Sequence, residues 1–257
     1  MRLLHSLIAI ALCLAVSTAS AAVDPAKIAA AKTAADEFLA LAQGAQASGQ
    51  MPRQTDPKVK ALLDRIFDRS ALGREVLPIG ESGKVGELLN NANRVGFAYM
   101  LAGTGLTDLG AIANDQGAAD AAERNMATYA PEVGRWFDYQ IALQGAIAQS
   151  TVAFLASAKQ DVLERPQVKS GLAQVRQGLA RSIAGVFQTM SADALDDAWR
   201  RDRMAYLVEL APTAAKLLPP EDAKALREQA DTLAEAVSDP RLKAELKSFG
   251  EIVAKAP

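Results

Sequence analysis

The stretch PEVGRWFDYQIALQGAIAQSTVAFLASAK, residues 131–159, is the clearest helical segment of the chain. No proline interrupts it after Pro131. Apolar residues recur along it at helical spacing, namely Val133, Phe137, Ile141, Ala148, Val152 and Leu155. This spacing places them on one side of a helix, where other helices must cover them. We therefore predict one long helix from Pro131 to Lys159.

A second stripe of apolar residues follows, with steps of three, four or seven: Val168, Leu172, Val175, Leu179, Val186 and Met190. Weaker patterns predict further helices near residues 25–47, 57–70, 84–102, 118–129, 192–210, 220–237 and 240–254, with Pro212 ending or kinking the helix before it. Strand signals are nearly absent. The expected fold is all-α, with about eight or nine helices packed as antiparallel hairpins in a helical bundle or an irregular superhelical array.

Two predicted helices begin with similar sequences, TDPKVKALL at residues 55–63 and SDPRLKAEL at residues 238–246. In each, an aspartate can cap the helix and a proline occupies its first position. RPQVKSGL, from Arg165, repeats the apolar offsets with arginine in place of the aspartate. The intervals between the three copies are unequal, which favours shared helix-start chemistry over a repeated module. A diverged duplication is the alternative.

The first 22 residues have the features of a secretory signal peptide. Arg2 precedes an uninterrupted apolar run at residues 7–16, and Ala19-Ser20-Ala21 has the spacing of a cleavage site. The apolar run is too short for a spanning helix, although an uncleaved anchor is the alternative. We predict cleavage after residue 21 or 22 and a periplasmic location, with secretion as the alternative. Residues 23–257 would form a single all-helical domain, with a sub-domain seam near 73–83.

The only histidine and the only cysteine, His5 and Cys13, both lie inside this signal. A mature chain would therefore have neither an imidazole nor a thiolate. That excludes Ser-His-Asp triads, Cys-His dyads and zinc sites built on these ligands. We expect no cofactor, no metal and no disulfide within the mature chain.

Charge restricts the partners. The full chain has 28 basic and 30 acidic residues, and Arg2 is the only charged residue of the signal, so the mature chain would carry 27 against 30. A slightly acidic protein is not suited to nucleic acid or anionic lipid, which favour basic surfaces. Beyond the signal no apolar run approaches membrane-spanning length. The expected partner is a protein of the cell envelope, or an apolar small molecule or lipid.

The segment VGFAYMLAGTGL, residues 95–106, contains no charge. Its small residues can admit a neighbouring helix or line a cavity for an apolar ligand. In the second case two walls would form the site, and their residues would be Phe97, Tyr99, Met100, Trp136, Phe137 and Tyr139. Ordinary core packing is the competing interpretation, because aromatic residues at helical spacing are usually buried.

The segment DDAWRRDR, residues 196–203, suggests a second candidate site. Its spacing predicts Asp196–Arg200 and Asp197–Arg201 ion pairs on a solvated helix face. Alternatively, it is a docking surface in which Trp199 is the anchor and the arginines, Arg200 and Arg203, bind an acidic partner.

Carboxylates are the one catalytic class left to the mature chain, and a glycan-cleaving enzyme needs only two. Glu132, Asp138, Glu123 and Asp120 lie near aromatic residues in the sequence, but no pair can be singled out. The leading hypothesis is an exported, non-enzymatic binding or scaffold protein of the cell envelope. A carrier of apolar ligands is the alternative, and a carboxylate-based enzyme is the third hypothesis.

Overall fold

The computed structural model describes residues 24–48, 50–72, 82–106, 115–192 and 195–255. These residues contain ten α-helices and no strand, which confirms the all-α prediction. The helices are α1 Pro25–Ser48, α2 Pro57–Ile66, α3 Ser82–Met100, α4 Gln116–Thr128, α5 Ala130–Ser157, α6 Gln160–Leu163, α7 Pro166–Met190, α8 Asp197–Ala215, α9 Pro220–Ala236 and α10 Pro240–Val253. The predicted signal and most of the predicted seam at 73–83 lie outside the described residues.

Most predicted helices occur close to their expected bounds, and α8 differs most. It begins at Asp197 rather than near residue 192, because the Asp196 carboxylate accepts a hydrogen bond from Trp199 N at 2.7 Å and caps the helix there. It then continues through Pro212 to Ala215. The predicted end at the proline is therefore wrong. Buried residues on both sides of Pro212 are the reason, since their packing outweighs one lost backbone hydrogen bond.

The predicted aspartate caps are confirmed at the starts of α2 and α10. Asp56 accepts a hydrogen bond from Lys58 N at 2.8 Å, and Asp239 accepts from Arg241 N and Leu242 N at 2.8 and 3.0 Å. At the start of α7, Arg165 makes no side-chain cap. The three similar sequences therefore share a proline at the helix start but not the cap.

Helix α5 lies at the centre of the array. It packs against α3 and α4 on the N-terminal side of the chain, and against α7 and α8 on the C-terminal side. Helix α1 packs on α2 and α3, while α10 packs on α8 and α9. A 3-10 turn, Arg69–Leu72, also contacts α5.

The buried apolar residues form one continuous cluster that reaches from α1 to α10. Among its largest fully buried side chains are Trp136, Tyr99, Tyr139, Phe38, Phe137 and Phe249. Within the described part of the chain, Leu41 is the only exposed large apolar side chain, and 40% of its surface is accessible to solvent. The same ranges contain no helix that is long and apolar enough to cross a membrane.

Candidate functional site

A cleft of about 540 Å³ lies beside the first turns of α5 and α8. Its volume falls within the range of about 300–1,000 Å³ that is usual for ligand sites. We call it the α5–α8 cleft, and its lining residues are Gln54, Ala127, Ala130, Pro131, Arg135, Asp138, Leu195, Asp196, Ala198, Trp199, Asp202 and Arg203. Two of the three predicted docking residues, Trp199 and Arg203, belong to it.

The Arg203 guanidinium is bound inside the protein. Nε and Nη2 donate to the two carboxylate oxygens of Asp138 at 2.8 and 2.7 Å, and Nη1 donates to Trp199 O at 2.9 Å. Only 5% of Arg203 is exposed. The alternative in which this arginine binds an acidic partner gains no support, because its charge is already paired with Asp138 across the two helices.

Asp138 is the partly buried carboxylate of the cleft, with 15% of its side chain exposed. Burial raises its pKa, and the Arg203 guanidinium acts in the opposite direction. Arg69 adds a second, longer ion pair at 3.8 Å. Both carboxylate oxygens of Asp138 already accept a hydrogen bond from Arg203, so this group functions as an internal counter-ion.

Trp199 forms one wall of the cleft and is 7% exposed. Its indole Nε1 donates to Ala130 O at 3.1 Å, and its ring meets Phe137 edge to face at 5.7 Å. Gly134 makes this approach feasible: a Cβ atom there would lie 2.7 Å from Arg203 Nη2 and 3.0 Å from Trp199 Nε1. A side chain at this position would force both residues away from α5.

Arg200 does not line the cleft. Its guanidinium donates to Met190 O at 2.7 Å and Ala192 O at 2.9 Å, which satisfies carbonyl groups at the end of α7. It also donates to Asp197 at 2.7 Å. Arg200 therefore pairs with Asp197 instead of the predicted Asp196, whose carboxylate caps α8.

The predicted Asp197–Arg201 pair is likewise replaced, since Arg201 binds Asp239 at the start of α10. A carboxylate outside α8 therefore decided the pairing of Arg201, whereas Arg200 keeps a carboxylate partner within α8 and adds two carbonyl groups beyond it.

The aromatic residues of the predicted two-walled apolar site pack in separate groups of ring contacts. Phe97, Trp136 and Phe137 form a chain of ring contacts, with centroid distances of 5.5 and 5.0 Å. Phe137 also meets Trp199, so this chain ends at the α5–α8 cleft.

The two tyrosines of the set have other neighbours. Tyr99 packs between Phe38 and Tyr129 at 5.4 and 5.3 Å, whereas Tyr139 packs on Phe67 at 5.9 Å. Burial raises the pKa of Tyr99 and Tyr139 well above the usual range, so both stay neutral.

Close packing explains the small residues of this segment. A Cβ atom on Gly96 would lie 2.3 Å from the Trp136 ring, so the indole occupies the space that the glycine leaves. Met100 is buried at the end of α3. Gly103 lies beyond that helix with φ of +72°, a left-handed conformation that favours glycine.

A buried carboxylate holds the loop that precedes α2. Glu132 Oε1 accepts a hydrogen bond from Gln54 N at 2.8 Å, and Arg53 Nε forms an ion pair with the same oxygen at 3.3 Å. Tyr99 donates its hydroxyl to Pro52 O at 2.7 Å. These contacts fix the loop that brings Gln54 to the cleft.

The four carboxylates considered for glycan cleavage do not form an obvious pair. Glu132 and Asp138 are six positions apart on α5, which turns them about 120° from each other around the helix. On α4, Glu123 is exposed and Asp120 accepts a hydrogen bond from Gln116 at 2.7 Å.

Acidic groups carry the exposed charge at the cleft. Asp196 and Asp202 are exposed, whereas Arg135 is partly buried and donates to Asp64 at 2.7 Å. With Arg203 paired inside, the outer rim presents carboxylates.

The sequence interpretation missed Gly134 and Asp138 as parts of this site. One signal was present: Asp138 is a charge between Phe137 and Tyr139 in an apolar helix, so it needs a buried partner. That partner, Arg203, is 65 residues away in the chain.

No group of three or more histidine, cysteine, aspartate or glutamate side chains that could hold a metal ion occurs in the described ranges. No protein-family model, no curated protein and no solved structure matches this chain.

Proposed function

We propose that this chain is an exported, non-enzymatic binding protein of the cell envelope that holds a basic segment of a partner protein in the α5–α8 cleft. The observation that carries the proposal is the cleft itself, a space of about 540 Å³ at the junction of two rigidly connected helices. Its walls are made by Trp199 and by the Arg203–Asp138 pair.

The walls of the cleft are held before any partner arrives. Arg203 uses three hydrogen bonds to join α5 to α8, and the Trp199 indole is tied to Ala130 O. A site whose side chains are already ordered loses less conformational entropy on binding. This pre-organisation favours a binding role.

The charge of the rim sets the chemistry of the partner. Exposed Asp196 and Asp202 attract lysine and arginine side chains, whereas the arginines of the cleft, Arg135 and Arg203, already bind carboxylates. Trp199 adds an aromatic wall of the kind that anchors protein interfaces. A basic segment therefore fits better than the acidic partner of the alternative sequence interpretation.

The binding role draws more support than the two alternatives. The six residues of the carrier hypothesis pack against protein side chains, with Trp136 against Gly96. For an enzyme, the partly buried carboxylate of the cleft would have to release Arg203 before it could transfer a proton.

Crosslinking in cells tests the cleft. A photo-reactive amino acid replaces Ala198, which is exposed and lines the cleft, and in a second variant it replaces Glu235, an exposed residue of α9 outside the cleft. We expect a discrete crosslinked protein from position 198 alone. Asp202→Lys should abolish it, and high salt should weaken it, because exposed charges are screened.

Equal products from positions 198 and 235, or a product that Asp202→Lys leaves unchanged, would contradict the proposed binding site. Glu235→Lys is the matched control, since it makes the same charge change outside the cleft.

Export is tested separately, by mass spectrometry of the protein purified from fractionated cells. We expect a mature chain in the periplasmic fraction that begins at Ala22 or Val23. An intact chain that retains Met1 in the cytoplasmic fraction would contradict export.

A further inference from the structure

The apolar stripe of α7 loses its cover towards the start of the helix. Its last three residues are buried, namely Leu179, Val186 and Met190. Its first three are only half-buried, namely Val168, Leu172 and Val175. Because the apolar spacing continues along the whole stripe, the difference lies in the neighbours, and the described part of the chain covers the start of α7 only in part.

The helices next to this stripe show the same change. On α5, Ala148 is buried, whereas Val152 and Leu155 are half-buried. On α6, which connects α5 to α7, Val162 and Leu163 are half-buried as well. The end of α5, α6 and the start of α7 therefore form a hairpin with an incompletely covered apolar face. We call residues 152–176 the hairpin end.

The hairpin end is basic, although the chain as a whole is slightly acidic. It contains four basic residues against two acidic ones. Both acids are paired inside the hairpin, Asp161 with Arg165 and Glu164 with Lys169. Lys159 is exposed and has no acidic partner among the described residues. The surface therefore offers positive charge beside apolar side chains.

Within one chain, the length of α5 separates the hairpin end from the α5–α8 cleft. The cleft lies at the first turns of α5, and the hairpin end begins in its last turns. The 28 residues of this helix extend over about 40 Å. A contact between the two surfaces can therefore form only between two copies of the chain.

We propose that the basic segment held in the α5–α8 cleft is the hairpin end of a second copy of this chain, an inference that rests on the proposed function of the cleft. Charge complementarity carries it. Asp196 and Asp202 are exposed on the rim, and Asp202 keeps 72% of its side chain accessible beside a long contact of 3.7 Å to Arg203. These carboxylates match the free Lys159 of the hairpin end, and opposite charges fix the register of a contact.

The apolar parts of the two surfaces match as well. Ala130, Leu195 and Trp199 line the cleft. The half-buried Leu163 and Val168 of the hairpin end gain the cover that their own chain does not supply, and the burial of apolar surface favours association.

A contact between two hairpin ends fits less well. It would cover the same apolar side chains, but it would bring two basic surfaces together, and like charges disfavour association. The acidic rim of the cleft removes that repulsion.

Sedimentation of the purified mature chain at concentrations up to about 1 mM measures self-association. We expect reversible association at low salt that weakens as the salt concentration rises, because exposed charges are screened. A chain that stays monomeric at every concentration in low salt would overturn the inference. It would leave the cleft available to a different basic protein.

Charge reversal identifies the two surfaces. Asp202→Lys alters the rim and Lys159→Glu alters the hairpin end, and each should weaken association about tenfold or more. A mixture of the two variants should associate again, because the unchanged Lys159 of one variant meets the unchanged Asp202 of the other. Association that survives either single change, or that does not return in the mixture, would overturn the inference.

Two matched controls make the same charge changes elsewhere. Lys247→Glu alters an exposed lysine of α10, and Glu235→Lys alters an exposed glutamate of α9. Both variants should associate like the parent. Weaker association in either control would mean that net charge, and not these two surfaces, governs the contact.

Crosslinking needs no charge reversal and therefore remains valid if a reversed variant does not fold. A photo-reactive amino acid at position 198 of the purified chain should crosslink to peptides from residues 152–176 of a second copy, as mass spectrometry would show. Crosslinks to other parts of the chain would overturn the inference. In cells, a product from position 198 that contains only a different protein would also overturn it, while still supporting the proposed function of the cleft.

Discussion

The first half of α5, from Glu132 to Gln144, is almost wholly enclosed, and its second half, from Gly145 to Ser157, is not. Ten of the thirteen residues in the first half are buried, including the charged Glu132. Only Ala148, Ser150, Thr151 and Phe154 are buried in the second half. Both halves carry the same helical apolar spacing, so spacing alone does not predict how much protein covers a helix.

The neighbours of the two halves explain the difference. The first half meets side chains of α2, α3 and α8, through contacts such as Arg135–Asp64, Trp136–Asn93 and Asp138–Arg203. In the second half, Ile147, Val152 and Leu155 stay half-buried. Because several helices surround the first half, its charged and polar side chains find partners inside the protein. The candidate site lies in this half.

The largest loss of stability is expected when the Arg203–Asp138 ion pair of the first half is removed. Arg203→Ala leaves the partly buried Asp138 carboxylate with only the longer Arg69 contact, which should lower the free energy of unfolding by about 3–5 kcal/mol. Arg165→Ala, after the second half of α5, breaks an exposed pair with Asp161 and should cost about 0.5 kcal/mol or less. Denaturant unfolding measures both, and similar losses would contradict the contrast.

A matched pair of glycines within α5 gives the next effect. In Gly134→Ala the new methyl group meets the Arg203 guanidinium, which is held by its own hydrogen bonds, so we expect a loss of about 1–3 kcal/mol by overpacking. At Gly145 the nearest atom would be Leu210 Cδ1 at 3.8 Å. Gly145→Ala should therefore stabilise the protein by about 0.5–1 kcal/mol through helix propensity. Thermal unfolding of both variants checks the opposite signs.

A smaller effect concerns the turn that follows the second half of α5. Helix α7 starts at Pro166 without a side-chain cap, so Arg165→Asn should supply one and stabilise the protein by about 0.5–1 kcal/mol. Asp56→Ala removes an existing cap from α2 and should cost about 0.5–2 kcal/mol. If Arg165→Asn does not raise the melting temperature, the missing side-chain cap at the start of α7 does not limit the stability of the protein.

The smallest effect is a change in pH dependence. Hydrogen bonds from Lys60 and Arg135 lower the pKa of Asp64 in the folded protein, so its carboxylate stabilises the fold above the unfolded-state pKa and this contribution is lost as pH falls. Asp64→Asn should be less stable than the parent at neutral pH, and the difference should close below about pH 4. Asp161→Asn is the exposed control, expected to unfold almost like the parent at every pH. A difference that persists in acid would exclude ionisation of Asp64 as the cause.

Local patterns in the sequence were sufficient for the helices. The period of apolar residues placed α5 and α7, and Asp-Pro pairs placed the starts of α2 and α10, because caps and helical spacing act between residues close in the chain. The start of α8 was missed because both Asp196 and earlier residues were compatible with a helix.

The sequence by itself determined the helical class, the caps and the absence of imidazole and thiolate chemistry from residues 23–257. Only the tertiary structure decided the pairing of Arg203 with Asp138, the packing of Trp136 over Gly96 and the cleft that results. Helix formation depends on neighbours three or four residues apart, whereas the cleft depends on residues 40 to 65 positions apart whose contact is set by how whole helices pack.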